Sequence, residues 1–175
     1  MTTYIAFLRG IAPMNPNMKN EKLRGVFENL GFTNVSSVVS SGNIIFETPE
    51  ADIQTIEKRV ETALRTQLGI TSTTIIRSAS QIQQLIDKRP FGDAVHTATN
   101  YLIVTFLQHQ PPSPLTFPDK YHITAVYDRE VCSVNNSTHS DFPDPMQWIE
   151  RNYGKEITTR TWLTIERVMK KMSQN

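Results

Sequence analysis

The sequence predicts an α+β protein whose first half is ferredoxin-like, with the element order βαββαβ and an antiparallel sheet. Short segments rich in β-forming residues alternate with two segments whose apolar residues recur at helical spacing. The turn signal Ser41-Gly42-Asn43 separates two adjacent strand segments and predicts a hairpin. Each predicted helix carries one apolar stripe, so both are expected to cover the same face of the sheet.

The first strand is predicted over residues 4–9, which are rich in β-formers and end in Arg9. A helix is predicted near residues 18–30, because its apolar residues lie three or four positions apart. That stripe consists of Leu23, Val26, Phe27 and Leu30. Residues 32–40 and 44–46 are predicted to be the two strands of the hairpin.

The second helix is predicted near residues 50–68, with Thr48 as its N-cap. Its apolar stripe consists of Ile53, Ile56, Val60, Ala63, Leu64 and Leu68. A fourth strand over residues 73–77 completes the sheet. Ser78 and Gln81 have the spacing of a capping box, which predicts that a third helix follows.

The chain is predicted to be a single compact body with two halves, 1–89 and 90–175, of which the second is a smaller α+β structure packed on the first. The second half is expected to contain a strand over residues 101–107, a hairpin that turns at residues 128–129 and a helix over residues 145–153. The strand order of this half is not readable from the sequence.

The last helix is predicted to begin near Thr158 and to use Trp162 as its core anchor. The partners of Trp162 on the same face are Ile165, Val168, Met169 and Met172. Residues 110–118 hold four of the ten prolines, which excludes a long regular element there.

The composition predicts a soluble protein of the cytoplasm. Hydrophobic residues make up 38% of the 175 residues, and the net charge of +1 gives no electrostatic footprint for nucleic acid. No apolar stretch approaches the roughly 20 residues that a membrane span needs, and the N-terminus has no signal-peptide features. The single cysteine, Cys132, fits a reducing compartment, so the sequon Asn136-Ser137-Thr138 is interpreted as a chance match.

Neither a metal nor a cofactor is predicted. The four histidines, His96, His109, His122 and His139, show no metal-ligand spacing, and the seven glycines form no phosphate-binding loop. Cys132 lies in a predicted strand and is expected to behave as a small apolar residue. The sequence contains no recognisable nucleophile–base pair, so it leaves open whether the protein is an enzyme.

Three short segments carry groups that suit a small anionic ligand. The first ends the first strand, the second forms the hairpin turn, and the third lies at the predicted start of the last helix. Arginine offers a planar fork of donors to phosphate or carboxylate, and a helix start presents unpaired N–H groups. The predicted ligand-binding residues are Arg9, Gly10, Ser41, Gly42, Asn43 and Arg160, with Arg77 as a weaker candidate.

A purely structural interpretation of the same segments stands beside this prediction. Arg9 and Arg160 would then pair with acids such as Glu47 or Asp141, the turn would only close a hairpin, and Thr158 would only cap a helix.

The same segments resemble a bacterial family catalogued as domain of unknown function 1697. The matching motifs are Leu8-Arg9-Gly10-Ile11, Ser41-Gly42-Asn43 followed by Phe46, and Thr158-Thr159-Arg160 followed by Trp162. Ala12 and Thr161 stand where the family usually has asparagine. The resemblance implies membership and fold along nearly the whole chain, and it implies no activity.

Two other functions compete with anion binding. The βαββαβ order is shared with RNA-recognition domains, but the stacking positions would be Asn43 and Ile45, neither of which is aromatic. A protein-interaction module would use the proline-containing loop 110–118 as its contact surface.

Topology predicts that Arg9 lies close to Asn43. In a βαββαβ sheet the first and third strands are antiparallel neighbours, so the end of one lies beside the start of the other. The convergence of Arg160 on the same place requires the second half to pack at that end of the sheet.

Overall fold

A computed structural model describes residues 1–136, 138 and 143–174. The described residues therefore do not include Ser137 of the sequon, His139, the acid Asp141 or the terminal Asn175. The described residues form two four-stranded antiparallel sheets and five α-helices, which confirms the α+β class.

The chain divides into two compact units. Unit 1 comprises residues 1–83 and 167–175, and unit 2 comprises residues 84–166. The division into the halves 1–89 and 90–175 stays a prediction, because compactness alone does not test which segments fold independently.

The sheet of unit 1 has the order β2-β3-β1-β4, and every neighbouring pair is antiparallel. The element order is the predicted strand, helix, strand, strand, helix, strand. The bounds are β1 Thr2–Leu8, α1 Asn20–Asn29, β2 Thr33–Ser37, β3 Asn43–Thr48, α2 Ile53–Leu68 and β4 Thr74–Ser78. The predicted hairpin and the pairing of the first and third strands are confirmed.

Both helices of unit 1 pack on one face of the sheet, as their apolar stripes predict. α1 contributes Leu23, Val26 and Phe27, and α2 contributes residues of its own stripe to the same buried cluster. Alternate residues of the strands complete the cluster, among them Tyr4, Ala6, Leu8, Ile44, Phe46 and Ile76. The period of two along the strands and the period of 3.6 along the helices therefore meet in a single core.

The predicted N-cap of α2 is wrong, because the helix begins after Asp52 and not after Thr48. Asp52 accepts the Gln54 N–H, whereas Thr48 ends β3 and accepts the Glu50 N–H in a turn. Asp52 has the stronger cap chemistry, and its hydrogen bonds, first that from the Thr55 hydroxyl, lower the pKa of its carboxyl group.

The predicted capping box in front of the third helix is confirmed. Ser78 N–H donates to Gln81 Oε1 at 2.8 Å, and Gln81 N–H donates to Ser78 Oγ at 3.2 Å. The helix that follows is α3, Ala79–Asp87. It begins directly after β4, so the chain passes from strand to helix without a loop.

Unit 2 contains a second sheet with the order β6-β7-β5-β8, again antiparallel throughout. Its hairpin turns at the predicted residues 128–129. The bounds are β5 Asn100–Leu107, β6 Ile123–Val126, β7 Glu130–Asn136, α4 Pro145–Tyr153 and β8 Ile157–Thr161. The order corresponds position by position to that of unit 1, which sequence analysis did not find.

The predicted start of the last helix is wrong. Residues 157–161 form strand β8, and the helix α5 spans Trp162–Met172. Four of the five residues from Ile157 to Thr161 are β-branched, which favours an extended strand over a helix start. The sequence predicts that Trp162 is buried, but the side chain is only half-buried. Its ring meets the ring of Phe91 edge-on, with 5.2 Å between the ring centroids.

Candidate functional site

The backbone of Arg9 is fixed where β1 leaves the sheet. Its N–H donates to Thr73 O at 2.9 Å, and the Ser72 hydroxyl donates to Arg9 O at 2.7 Å. One residue earlier, Leu8 N–H donates to Gly42 O at 2.8 Å. Arg9 therefore emerges, half-buried, beside the end of the β2–β3 loop, as topology predicts.

The predicted donor Asn43 is buried and shapes the β2–β3 loop. Its side-chain amide donates to Val38 O and to Ser41 Oγ, both at 3.0 Å, and its backbone carbonyl accepts Val38 N–H at 3.0 Å. The side chain is 0% exposed. Asn43 thus orders residues 38–42 through hydrogen bonds from its buried side chain and its backbone.

Val39 is the feature of this loop that the sequence did not reveal. It has a φ of +51° and is 37% exposed. A β-branched residue in the left-handed region is strained, at a cost on the order of 1–3 kcal/mol. Asn20 Nδ2 holds this conformation by donating to Val39 O at 2.9 Å. The paired valines instead predict a continuous strand over residues 32–40.

Gly42 is required both by its conformation and by its neighbours. It has a φ of +74°, and a Cβ atom there would lie 2.5 Å from Ile11 Cγ1 and 3.0 Å from Leu8 Cβ. Gly10 has a φ of +73°, but a Cβ atom there would meet nothing within 4 Å beyond its chain neighbours. The loop after β1 and the loop before β3 are therefore in close contact at Gly42.

Five of the six predicted site residues come together in unit 1. Arg9 and Gly10 lie in one loop, and Ser41, Gly42 and Asn43 lie in the loop that touches it. Arg160 belongs to unit 2, where it lies in strand β8 and not at a helix start. Its convergence with the other five residues stays a prediction.

Arg160 is a buried cation. It is 9% exposed, and its Nη1 donates to Thr158 Oγ1 and to Thr159 O, both at 2.8 Å. Burial lowers the pKa of its guanidinium to about 10, which still leaves the group charged at neutral pH. The Thr-Thr-Arg motif therefore positions the arginine through its own threonines.

Arg77 occupies the equivalent place in unit 1. Each arginine is the fourth residue of its five-residue strand, β4 or β8, and each strand runs directly into a helix. Arg77 is 1% exposed, and its Nη1 donates to Ile76 O at 2.9 Å. From the sequence Arg77 is only a weaker candidate, because the correspondence between the two sheets is a property of the fold.

Glu47 is not the partner of Arg9 that the structural interpretation requires. It pairs with Thr3 across β1 and β3, at the opposite end of β1 from Arg9. Its Oε2 accepts from Asn34 Nδ2 at 2.8 Å, and its Oε1 accepts from Thr3 Oγ1 at 3.4 Å. The other suggested acid, Asp141, lies outside the described residues.

Cys132 is chemically quiet, as expected. It is 0% exposed in strand β7, and burial, assisted by Glu130, raises the pKa of its thiol to about 12. The thiol is therefore protonated at neutral pH and does not serve as a nucleophile. Within the described residues, no helix is both long enough and apolar enough to span a membrane, and no three His, Cys, Asp or Glu side chains form a metal-binding group.

A cavity of about 540 Å³ lies in unit 2, along the proline-containing loop. It is lined mainly by the ends of β5 and β8, by the end of α4 and by residues 109–113. Its polar groups include His109, Asn152 and Glu156. The sequence suggests this loop as a contact surface only in the protein-interaction alternative, and it gives no sign of a cavity.

Comparison with known proteins supports the predicted relationship. The model of the family described as "Protein of unknown function (DUF1697)" matches residues 1–129. Among solved structures, the conserved bacterial protein SP0830 from Streptococcus pneumoniae has a similar fold, with a TM-score of 0.69 and 17% identity over 99% of both chains. No curated protein matches the chain.

Proposed function

The chain belongs to the DUF1697 family of proteins of unknown function, and from the geometry of unit 1 we propose that it binds a small anionic molecule at the loops around Arg9 and Gly42. The site comprises Arg9 and Gly10 after β1 together with Ser41, Gly42 and Asn43 before β3. Arg160 is the further donor that unit 2 would contribute. The proposal includes no cofactor and no catalytic step.

The observation that carries this proposal is the strained loop held by Asn43. A buried amide uses both of its hydrogens to order Val38 and Ser41, while Val39 sits in a conformation that costs free energy. A simple hairpin turn needs neither feature. Strain of this kind concentrates at ligand-binding sites, where a fixed backbone avoids the entropy of ordering on binding.

Arg9 supplies the charge of the proposed site. Its backbone is tied to Thr73 and Ser72, so the side chain starts from a fixed point beside Gly42. A guanidinium offers five N–H donors, which suits phosphate or carboxylate oxygens. Turns that contain left-handed residues, such as Gly10 and Gly42, also form concavities that accept anions.

The cellular setting belongs to the same proposal. We place the protein in the bacterial cytoplasm, in keeping with its one cysteine, which is buried and protonated. The strand order β2-β3-β1-β4 with two helices on one face supports the ferredoxin-like description of unit 1.

Burial argues against the RNA-binding alternative. The two positions at which an RNA-recognition domain stacks bases would be Asn43 and Ile45, and both are 0% exposed. The interaction-module alternative is weakened by the loop over 110–118, because Leu115 and Phe117 pack into the core of unit 2. Those residues give the loop a structural role.

The test is a thermal-shift and NMR screen of small phosphate- and carboxylate-bearing metabolites against the whole chain. We expect at least one compound to shift the amide signals of Gly10 and Gly42, and R9Q to lose that response. The R9Q variant should stay folded, with unchanged amide signals outside the loops around Arg9 and Gly42. R65Q, which neutralises an exposed arginine on α2, is the matched control and should respond like the wild type.

The role of Arg160 is tested separately with R160K, which keeps a positive charge but not the planar fork. If Arg160 contacts the ligand, R160K should weaken binding while the fold persists. If no anion perturbs Gly10 or Gly42 in the wild type, the proposed function is wrong.

A further inference from the structure

A second group of cationic side chains meets at one serine in unit 1. Arg24 of α1 donates through Nη1 to Ser37 Oγ at 2.9 Å, and Lys171 of α5 donates through Nζ to Ser37 O at 2.9 Å. Ser37 is the last residue of β2. Two positive charges from opposite ends of the sequence are thus brought to a single residue.

Within the described residues, most donors of this group are left unused by the protein. Arg24 has five N–H donors and Lys171 has three, and each side chain makes one hydrogen bond to the described part of the chain. Ser37 accepts at both of its oxygens, and its hydroxyl hydrogen meets no acceptor among the same residues. The three side chains are half-buried, so they are open to a small solute.

Across the part of the chain that the structure describes, no carboxylate forms an ion pair with either cation, although Glu21 and Glu28 lie within one turn of Arg24 on α1. Neither Arg24 nor Lys171 forms an ion pair with any of the described residues. The neighbours of Lys171 on α5 include Lys170 and Arg167, which add to the positive potential. Like charges held at one residue repel each other, and a bound anion removes that repulsion.

We propose that Arg24, Ser37 and Lys171 form a binding site for the phosphate group of a small phosphomonoester. The charge decides between anion classes, because a phosphomonoester carries about −1.5 to −2 at neutral pH and a carboxylate carries −1. The two positive charges of Arg24 and Lys171 match the charge of a phosphomonoester. The guanidinium provides a directional fork, the ammonium a point charge, and the serine hydroxyl a neutral donor.

This site is distinct from the one proposed around Arg9. Ser37 pairs with Ile44, whose side chain belongs to the helix-facing core, whereas Arg9 emerges beyond the end of β1 next to Gly42. The two sites share no side chain, so either proposal can fail while the other stands.

The experiment is an NMR titration of the whole chain with methyl phosphate and, separately, with acetate. We expect methyl phosphate to give saturable shifts of the Ser37 and Lys171 amides, and acetate to bind at least about tenfold more weakly. R24Q and K171Q should each weaken methyl phosphate binding by about tenfold or more, which is the effect of one charged hydrogen bond. K171R should restore binding.

Two controls separate a built site from general attraction. K170Q removes an exposed charge one residue away on the same last turn of α5, so it also reproduces any loss of helix-dipole stabilisation. K170Q should bind methyl phosphate like the wild type, and so should R65Q, which neutralises an exposed arginine on α2. Equal losses in K170Q and K171Q, equal affinities for acetate and methyl phosphate, or unchanged Ser37 signals would each overturn the proposal.

Discussion

The two units cover their sheets in different ways, although the sheets have the same strand order. In unit 1 the connection between the first two strands contains α1, which buries Leu23 and Phe27. In unit 2 the corresponding connection, residues 108–122, contains no α-helix, and Leu115 and Phe117 pack on the sheet and on α4 from an irregular chain. A sheet face needs apolar cover, but the cover does not have to be periodic.

The hairpins differ in the opposite sense. Unit 2 joins β6 to β7 by a short turn in which Tyr127 N–H donates to Glu130 O at 2.8 Å. Unit 1 spends five residues, 38–42, on the same connection, with a strained Val39 and a glycine that admits no side chain. The regular unit thus carries the irregular loop, which is why the proposed site is placed there.

The largest effect on stability is expected from truncating the apolar side chains that cover the two sheets. Phe27→Ala removes a fully buried ring that contacts Phe32 and Phe46, and should lower the free energy of unfolding by about 3–5 kcal/mol. Leu115→Ala tests the irregular counterpart and should cost about 2–5 kcal/mol. Denaturant unfolding measures both. A cost below about 0.5 kcal/mol for Leu115→Ala would mean that its loop does not take the place of a helix.

A smaller effect is expected at the two glycines of the proposed site. Both have positive φ, so an alanine at either costs about 1–2 kcal/mol from conformation alone. Gly42→Ala also places a Cβ against Ile11 and Leu8, so it should cost clearly more than Gly10→Ala. Equal losses of stability in the two variants would show that the loops separate freely in solution.

A helix cap offers a matched position in unit 2. Asp144 precedes α4 as Asp52 precedes α2, and it accepts the Met146 N–H at 2.8 Å. Asp144→Ala should lower the free energy of unfolding by about 0.5–2 kcal/mol, and Asp144→Asn by less, because asparagine also caps helices. If both variants lower the free energy of unfolding by the same amount, the lost stability does not come from the helix cap.

The smallest effect is the acid dependence of the cap in unit 1. Hydrogen bonding, first by the Thr55 hydroxyl, lowers the pKa of Asp52 below its usual 3.8 in the folded state. Its stabilisation is therefore present above the unfolded pKa and is lost as the pH falls through the folded pKa. The difference in stability between the wild type and Asp52→Ala should shrink on acidification from about pH 5 to pH 2. A constant difference would contradict the assignment.

The sequence predicts those parts of the fold that are periodic. The stripes of α1 and α2 and the Ser78–Gln81 capping box are local patterns, and all three are confirmed. The misplaced elements, the start of α2 and the last helix, lie where several residues compete for one cap or where threonines suit a strand as well as a cap.

The motifs suggest residues for the candidate site, but they do not show which contacts those residues make. The turn motif identifies Asn43, whereas only the packing shows that its amide is turned inward to Val38 and Ser41. The strain at Val39 leaves no signal in the sequence, because two adjacent valines favour a strand. The pairing of Arg24 with Lys171 at Ser37 joins residues that no local pattern connects.

The contact between Lys171 and Ser37 also has a consequence for the order of folding. It joins residues 134 positions apart, and residues 167–175 belong to unit 1 although unit 2 lies between them and the rest of that unit. During synthesis on a ribosome the first sheet can form early, but its last helical segment arrives only after all of unit 2 has been made. Closing a loop of this length is slow, so we expect maturation of unit 1 to wait for the end of the chain.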